Sequence, residues 1–355
     1  MLRMRGKTAA VVGVLAIAMA IAPACANAAA RLLPKQGKVF FGTSDTGSTT
    51  QFTDFANAVG KHPAVIETFQ HWSGTLSGSV KRWQRAEARP ILHISTADPN
   101  DGHELITPRA IARGLGDGYL IRLNKVFSSN GIRAYVRPLG EPNRCLNVYA
   151  SYDCGGKPRD RAHMPYWYKQ AFRRMYVILH GGGTVAAIDT RLRATHLPPL
   201  RASGGALPQA PVAIVWSPLP AGAPASKTNR PYRFYPGDRY TDWAGTDFYS
   251  TYPDWKSLGN LYNRYRRKPF VLTEWGVENS DNPAFVRRVF TWVRRHPRCR
   301  MLVYYQDFGD SNPYRIQNFP ASLSVLRRRL ASPVFPAFAP AYPTPPPPPP
   351  GGLAP

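Results

Sequence analysis

Eight short runs rich in Val, Ile, Phe and Tyr recur along the chain, at Lys38–Ser44, Ala64–Gln70, Pro90–Thr96, Ile132–Leu139, Val212–Ser217, Trp243–Tyr249, Pro269–Glu274 and Arg300–Asp307. Several are nearly continuous in apolar residues, the pattern of parallel strands covered on both faces. Amphipathic segments fill many of the gaps. Thr53–Gly60 reads as a short helix, Pro165–Leu179 as a longer one ending at Gly181-Gly182-Gly183, and Asn282–His296 as a helix capped by Asn282 with Pro283 in its first turn. Alternation of strand and helix eight times over predicts an α/β protein built as a (β/α)8 barrel. An open doubly wound sheet would advertise itself by G-x-G-x-x-G after its first strand, whereas this chain has Gly42-Thr43-Ser44-Asp45-Thr46-Gly47 there. The connection Pro218–Asp242, rich in Pro, Gly and Arg, is expected at the mouth of the barrel, where such folds carry their variation.

The two ends of the 355-residue chain have different characters. Arg3, Arg5 and Lys7 precede an apolar stretch from Ala9 to Ala22, followed by small residues through Ala30. This run is shorter than a membrane span and reads as a secretory signal peptide over residues 1–30, cleaved near Ala28 or Ala30. A lipoprotein reading through Cys25 lacks the usual Leu-rich context before it. Residues 332–355 include six consecutive prolines and are expected as an extended tail, which leaves residues 31–331 for the folded domain.

Export permits disulfides, and Cys145 and Cys154 enclose a short loop that one bond would pin. Cys299 falls in a predicted strand, where a thiol packs as a small hydrophobe. The eight histidines are scattered without H-E-x-x-H spacing, so neither a metal nor another cofactor is expected. G-x-S-x-G is absent as well, which argues against an esterase or protease.

Lys and Arg number 46 against 21 Asp and Glu, a formal net charge of +25. The runs Arg264-Tyr265-Arg266-Arg267-Lys268, Arg294-Arg295 and Arg327-Arg328-Arg329 invite a nucleic-acid reading. Each falls at the C-terminal end of a predicted helix, where cations complement the macrodipole, and no nucleic-acid-binding module accompanies them. No nucleic-acid partner is expected. The excess charge and the Pro-rich tail suit association with an anionic cell envelope, and the chain is expected to be a monomer.

In a barrel, the residues at the C-terminal strand ends converge on one mouth. Glu141 closes the fourth predicted strand and Glu274 the seventh. A lone strand-end glutamate is as often a solvated loop residue as a catalyst. Two of them, embedded in apolar strands beside Asn143 and Trp275, are what glycoside hydrolysis needs: one protonates the leaving oxygen, and the other stays ionised to attack the anomeric carbon. Arg137, earlier on the same strand as Glu141, is expected to hold a carboxylate in the mouth ionised. Sugar rings present flat apolar faces, so aromatic platforms are sought at strand ends, with Trp72, Trp216, Phe248, Tyr249 and Trp275 as candidates. Trp167 and Trp292 lie inside predicted helices and are assigned to the core.

Three blocks carry a family resemblance: Arg137-Pro138-x-x-Glu141-x-Asn143, the stretch from Tyr235 to Tyr249 with its Asp242-Trp243-x-Gly245-x-Asp247-x-Tyr249, and Lys268-Pro269-x-x-x-x-Glu274-Trp275-Gly276. In that order and spacing they resemble glycoside hydrolase family 26. The resemblance implies a retaining barrel in which Glu141 is the acid/base, Glu274 the nucleophile and Tyr249 a hydrogen-bond partner of that nucleophile. It further implies a polysaccharide substrate, mannan-like and cut internally at β-1,4 linkages. Arg137, Asn143, Tyr249, Trp275, Trp72, Trp216 and Tyr305 are then the expected substrate-binding residues. Two positions depart from the pattern. Gly140 stands where mannanases of that family commonly carry His, and Tyr304 or Tyr305 where a Trp is common. A non-catalytic polysaccharide-binding barrel and a transglycosylase are the alternatives.

Overall fold

The computed structural model describes residues 32–47, 50–201, 205–307 and 312–339. The expected leader and the polyproline run lie outside these residues. Eight parallel strands close into one barrel in chain order: β1 Phe40–Asp45, β2 Val65–His71, β3 Arg89–Ser95, β4 Ala134–Pro138, β5 Val212–Trp216, β6 Trp243–Tyr249, β7 Phe270–Gly276 and β8 Cys299–Tyr304. β8 pairs with β1 through Phe40↔Met301 to Thr43↔Tyr304. The α/β reading as a (β/α)8 barrel is therefore correct, with strand bounds displaced by at most three residues and those of β6 unchanged.

Around the barrel run α1 Gln51–Val59, α2 Ser77–Ala86, α3 Pro108–Ala112, α4 Asp117–Ser129, α5 Pro165–His180, α6 Val185–Arg193, α7 Trp255–Arg264, α8 Pro283–Arg295 and α9 Pro320–Leu330. The termini follow the local sequence. Asn282 caps α8 by accepting from the Phe285 N–H at 2.9 Å, with Pro283 in the first turn. Gly181 ends α5 at φ +60°, and a Cβ there would lie 2.1 Å from the Pro208 carbonyl oxygen, so the stop requires glycine. The connection after β5 begins at the mouth, as expected, and contains two short 3₁₀ turns at Pro231–Phe234 and Asp238–Tyr240.

Alternation along each strand separates two apolar layers. Phe40, Val65, Tyr135, Trp243, Val271 and Met301 fill the lower lumen, where Tyr135 meets Trp243 edge-on at 5.5 Å. The opposite strand faces pack on the helices through residues such as Trp83, Trp216, Phe172 and Trp275. Moving up the lumen, inward positions turn from apolar to charged. On β2, Val65 is followed by Glu67; on β4, Tyr135 by Arg137; on β6, Trp243 and Gly245 by Asp247. A packed floor beneath a charged layer fixes the site at the C-terminal strand ends.

Cys145 and Cys154 form a disulfide within the β4–α5 connection, with Cα atoms 4.9 Å apart. Cys299 is buried on β8, and that burial pushes its thiol up to about 12. Packing continues beyond the expected domain end at Ala331. The Val39 N–H donates to the Val334 carbonyl at 2.9 Å, and Phe335 packs edge-on against Phe290. Residues 332–339 therefore belong to the folded body, because Phe335 and Ala339 are buried there. Among the described residues no helix is long and apolar enough to cross a membrane.

One loop clamp is pH-sensitive. Buried His163 reaches Glu104 through Nε2 at 2.7 Å and Asp160 through Nδ1 at 2.8 Å, tying the β3–α3 connection to the β4–α5 connection. Burial opposes its charge, but the hydrogen bonds to both carboxylates outweigh that and raise its pKa. A raised histidine contributes its stability fully below the ordinary value of about 6.5 and loses it as pH rises through the folded-state value. His163→Ala is thus expected to lower the melting temperature most below about pH 6.5, with the gap narrowing in more alkaline buffer. A gap independent of pH would count against the charged clamp.

Candidate active site

The charged layer is organised around Arg137, fully buried at the end of β4. Its Nη1 donates to Glu67 Oε1 on β2 at 3.1 Å and to Glu274 Oε1 on β7, and its Nη2 donates to Asp247 Oδ2 on β6. Burial works against the guanidinium, but Asp247, Glu274 and Glu67 more than compensate and hold it well above its usual range. Three carboxylates share this one cation, and the balance falls on the two that are fully buried. Burial, followed by repulsion from Glu274, pushes Glu67 well above the usual carboxylate range, and Asp247 is pushed up chiefly by burial despite Arg137.

Glu274 is held from both sides. Besides Arg137 on Oε1, the Tyr249 hydroxyl donates to Oε2 at 2.6 Å. Burial, then the Glu274 charge, raise the Tyr249 phenol well above its usual value, so it remains a donor. Asp247 braces the backbone from behind. Its Oδ1 accepts from the Glu274 N–H at 3.0 Å and from Thr273 Oγ1 at 2.6 Å, at a bulge where the β6–β7 register shifts.

Glu141 sits just beyond β4 on a strained turn in which Leu139 has φ +50° and Glu141 φ +48°. The turn is fixed by several bonds. The Glu141 N–H donates to Ser217 O at 2.7 Å, Tyr149 Oη to Gly140 O at 2.6 Å, and Asn147 Nδ2 to Glu141 O at 3.0 Å. The carboxylate of Glu141 pairs with Arg144 at 3.0 Å, and the Arg144 side chain is 43% exposed. Arg137 thus serves Glu274 and not Glu141, which lies past the strand end and takes its cation from the following loop. Glu141 and Glu274 both line a cavity of about 570 Å³, together with Arg144, Tyr249, Tyr252, Glu278, Tyr305 and Tyr314.

Of the residues expected to bind substrate, Tyr249 and Tyr305 line this cavity, whereas the three tryptophans are in the core. Trp275 follows Glu274 on the strand and faces outward, against Phe290 and Tyr304. Trp216 faces outward from β5 against Tyr235 and Tyr265. Trp72 lies over the bare backbone of Gly116 beside Tyr119. Phe248 is likewise buried, against Trp255 and Phe285. Arg137 is covered by the carboxylates it binds. Asn143 is buried too, exchanging two hydrogen bonds with the Leu219 backbone at 2.8 and 2.9 Å and so fixing a cavity wall. Trp292 is in the core as expected, and Trp167 packs partly buried against it.

Sequence reasoning gave no role to Glu67, His93, Arg144, Tyr252, Glu278 or Tyr314. Glu67 and His93 carried a signal, as polar residues at inward positions of apolar strands. His93 lies 3.5 Å from Arg137 Nη1, and burial, then Arg137, pull its pKa well below the usual value and leave it neutral. Glu67, His93 and Glu274 offer ligand atoms within 4.8 Å of one another. The Arg137 guanidinium already donates to both carboxylates, so the cluster is built around an organic cation and does not fit a metal.

Gly140 explains itself through Arg137. A Cβ at this position would lie 2.6 Å from Arg137 Nε and 2.8 Å from Cζ. The guanidinium occupies the space that a histidine side chain would need. Gly140→Ala is expected to destabilise the fold by roughly 1–3 kcal/mol through overpacking and to move Arg137 off Glu274; Gly140→His should do more. Melting curves test this, and unchanged melting of both variants would show that Arg137 yields freely.

No family model matches the chain, and no curated protein matches it. Solved structures do. A double mutant of the Cellulomonas fimi endo-β-1,4-mannanase is similar at TM-score 0.61 and 16% identity, over 89% of this chain and 77% of that one. The GH26 β-mannanase BoMan26A from Bacteroides ovatus is similar at TM-score 0.57 and 15% identity, covering 88% and 94%. GH26A from Muricauda sp. MAR_2010_75 is similar at TM-score 0.56 and 15% identity, again covering 88% and 94%. At such identities the likeness is one of architecture, and it establishes that this chain shares the barrel fold of those proteins.

Proposed function

We propose that the protein is a secreted retaining β-glycosidase of the family 26 kind, acting internally on a β-1,4-mannan-like polysaccharide. The observation that carries this reading is the pair Glu141 and Glu274 on one cavity, each held by its own set of donors. Glu274, gripped by Arg137 and Tyr249, attacks the anomeric carbon as the bond to the leaving oxygen breaks, and Glu141 gives that oxygen its proton. Glu141 then takes a proton from water, whose oxygen displaces Glu274 from the sugar. The fold neighbours described as mannanases support the substrate class. Gly140 leaves the choice among mannan, glucomannan and related β-glucans to experiment.

The test is hydrolysis of mannan, glucomannan, mixed-linkage glucan and xylan, with reducing ends counted and the anomer of the first product followed by NMR. Release of the β-anomer from mannan supports the proposal. The α-anomer would exclude double displacement, and no hydrolysis of any polymer would favour a non-catalytic polysaccharide-binding barrel. That second reading draws on Arg144, which covers the carboxyl that the mechanism uses as its proton donor.

A further inference from the structure

We propose that the end of the barrel opposite the cavity is a docking surface for an anionic lipid bilayer. Cations predominate at that end of the barrel, whereas the mouth is mixed in charge. Helix-to-strand connections, which all lie at the floor end, carry cations such as Lys61, Arg133, Arg266, Arg267 and Arg298, and the last turns of α8 and α9 add Arg294-Arg295 and Arg327-Arg328-Arg329. Glu87 is the one acidic residue in the connections that enter β2, β3, β4, β5, β7 and β8, and the connection into β6 adds Asp242 and Asp238, the latter 3.8 Å from Arg267. The strand-to-helix connections at the mouth are mixed in charge: acids such as Asp98, Glu104, Glu141, Asp254 and Glu278 stand there with Arg144, Lys157, Arg159 and Arg161. Arg294 and Arg329 are exposed and have no acidic partner among the described residues.

Apolar side chains stand among these cations. Leu33 is 43% exposed, Val334 38% and Phe338 56%. Leu33 and Phe338 border one hollow with Lys35, Lys38 and Arg133, and Val334 borders a second with Arg294 and Arg329. A polyanion in solution requires only the cations. Basic residues ringing exposed apolar ones fit a bilayer, where the former meet lipid phosphates and the latter enter the acyl boundary. The ends of the described chain point the same way. Leu32 accepts from Arg89 at the start of β3, and Phe338 stacks on His62 just before β2, so both ends emerge on this face. Docking here would turn the mouth away from the membrane, toward a polymer outside it.

The test is sedimentation of the purified protein with vesicles of phosphatidylcholine, and of phosphatidylcholine mixed with phosphatidylglycerol, in low and high salt. Binding to the anionic vesicles alone, weakened by salt, is expected. Arg294→Gln with Arg329→Gln should lower partitioning about fivefold per cation removed, and Leu33→Ser with Phe338→Ser should lower it further, while the melting temperature stays near that of the parent. Absence of binding to anionic vesicles would overturn the proposal, as would binding indifferent to these substitutions. Retention on soluble polyphosphate without vesicle binding would also overturn it, assigning the face to a polyanion.

Discussion

Glu274→Gln is expected to reduce polysaccharide hydrolysis by roughly 10⁴-fold or more, which corresponds to about 5 kcal/mol of lost transition-state stabilisation. The amide keeps the shape of the side chain and can still meet Tyr249, so binding of the polymer should survive. Glu141→Gln should be as damaging on polysaccharide, for a different reason, since the leaving oxygen then departs without a proton. An aryl glycoside with an acidic phenol as leaving group separates the two variants. It needs no proton to depart, so Glu141→Gln should show a burst of phenol followed by slow turnover, whereas Glu274→Gln should show neither. Full activity in the Glu274 variant would remove the proposed nucleophile, and identical behaviour of both variants on the aryl substrate would remove the division of labour.

Arg137→Met is expected to be the most destabilising substitution in the site. It leaves Glu67, Asp247 and Glu274 facing one another without a cation, and breaking a buried ion pair from one side costs about 3–5 kcal/mol. A domain with about 5–15 kcal/mol to lose would then melt well below the parent. The loss should depend on pH in a definite direction. Burial and mutual repulsion already raise Glu67 and Asp247, and a carboxyl with a raised folded-state value binds its proton more tightly in the native state than in the unfolded one. Acidification toward that value therefore favours the native state, and alkaline buffer should be the worst condition for the variant. Arg137→Lys is the informative companion. It restores the charge without the planar fork, so it should recover much of the stability and little of the turnover, because one ammonium cannot reach three carboxylates in the same geometry. A Met variant that melts with the parent would mean that the carboxylates are neutral without the guanidinium.

Much of this site was legible in the strand pattern, and the errors came from parity. Glu274 and Trp275 are consecutive on β7, so a strand that sends the first into the mouth sends the second outward. The same argument removes Trp216, which follows inward-facing Val215 on β5. Counting aromatic residues near strand ends, without asking which face each occupies, made platforms of core residues. Parity would also have found Glu67 and His93. Other features have no local signal. Which carboxylate Arg137 holds is one of them, because its partners come from β2, β6 and β7 across the lumen. Arg144, Tyr252 and Tyr314 reach the cavity from loops, whose course depends on bonds such as those between Asn143 and Leu219.

The pairing of β1 with β8 has a consequence for how such a chain is made. Ser44 Oγ donates to the Gln306 carbonyl across 262 positions, and Val39 is bonded to Val334 farther along still. Until the last strand exists, the earlier ones form at best an open sheet with two unpaired edges, and closing so long a loop is slow because its entropy is lost before any contact repays it. Under the export proposed above, that delay is useful. The chain can be threaded through a translocation pore before a closed cylinder exists to obstruct passage, whereas the Cys145–Cys154 bond, spanning only 9 positions, needs no barrel to form. A chain cut before β8, at Pro297, should therefore keep β1 with an unpaired edge and aggregate through it, which light scattering during refolding would report.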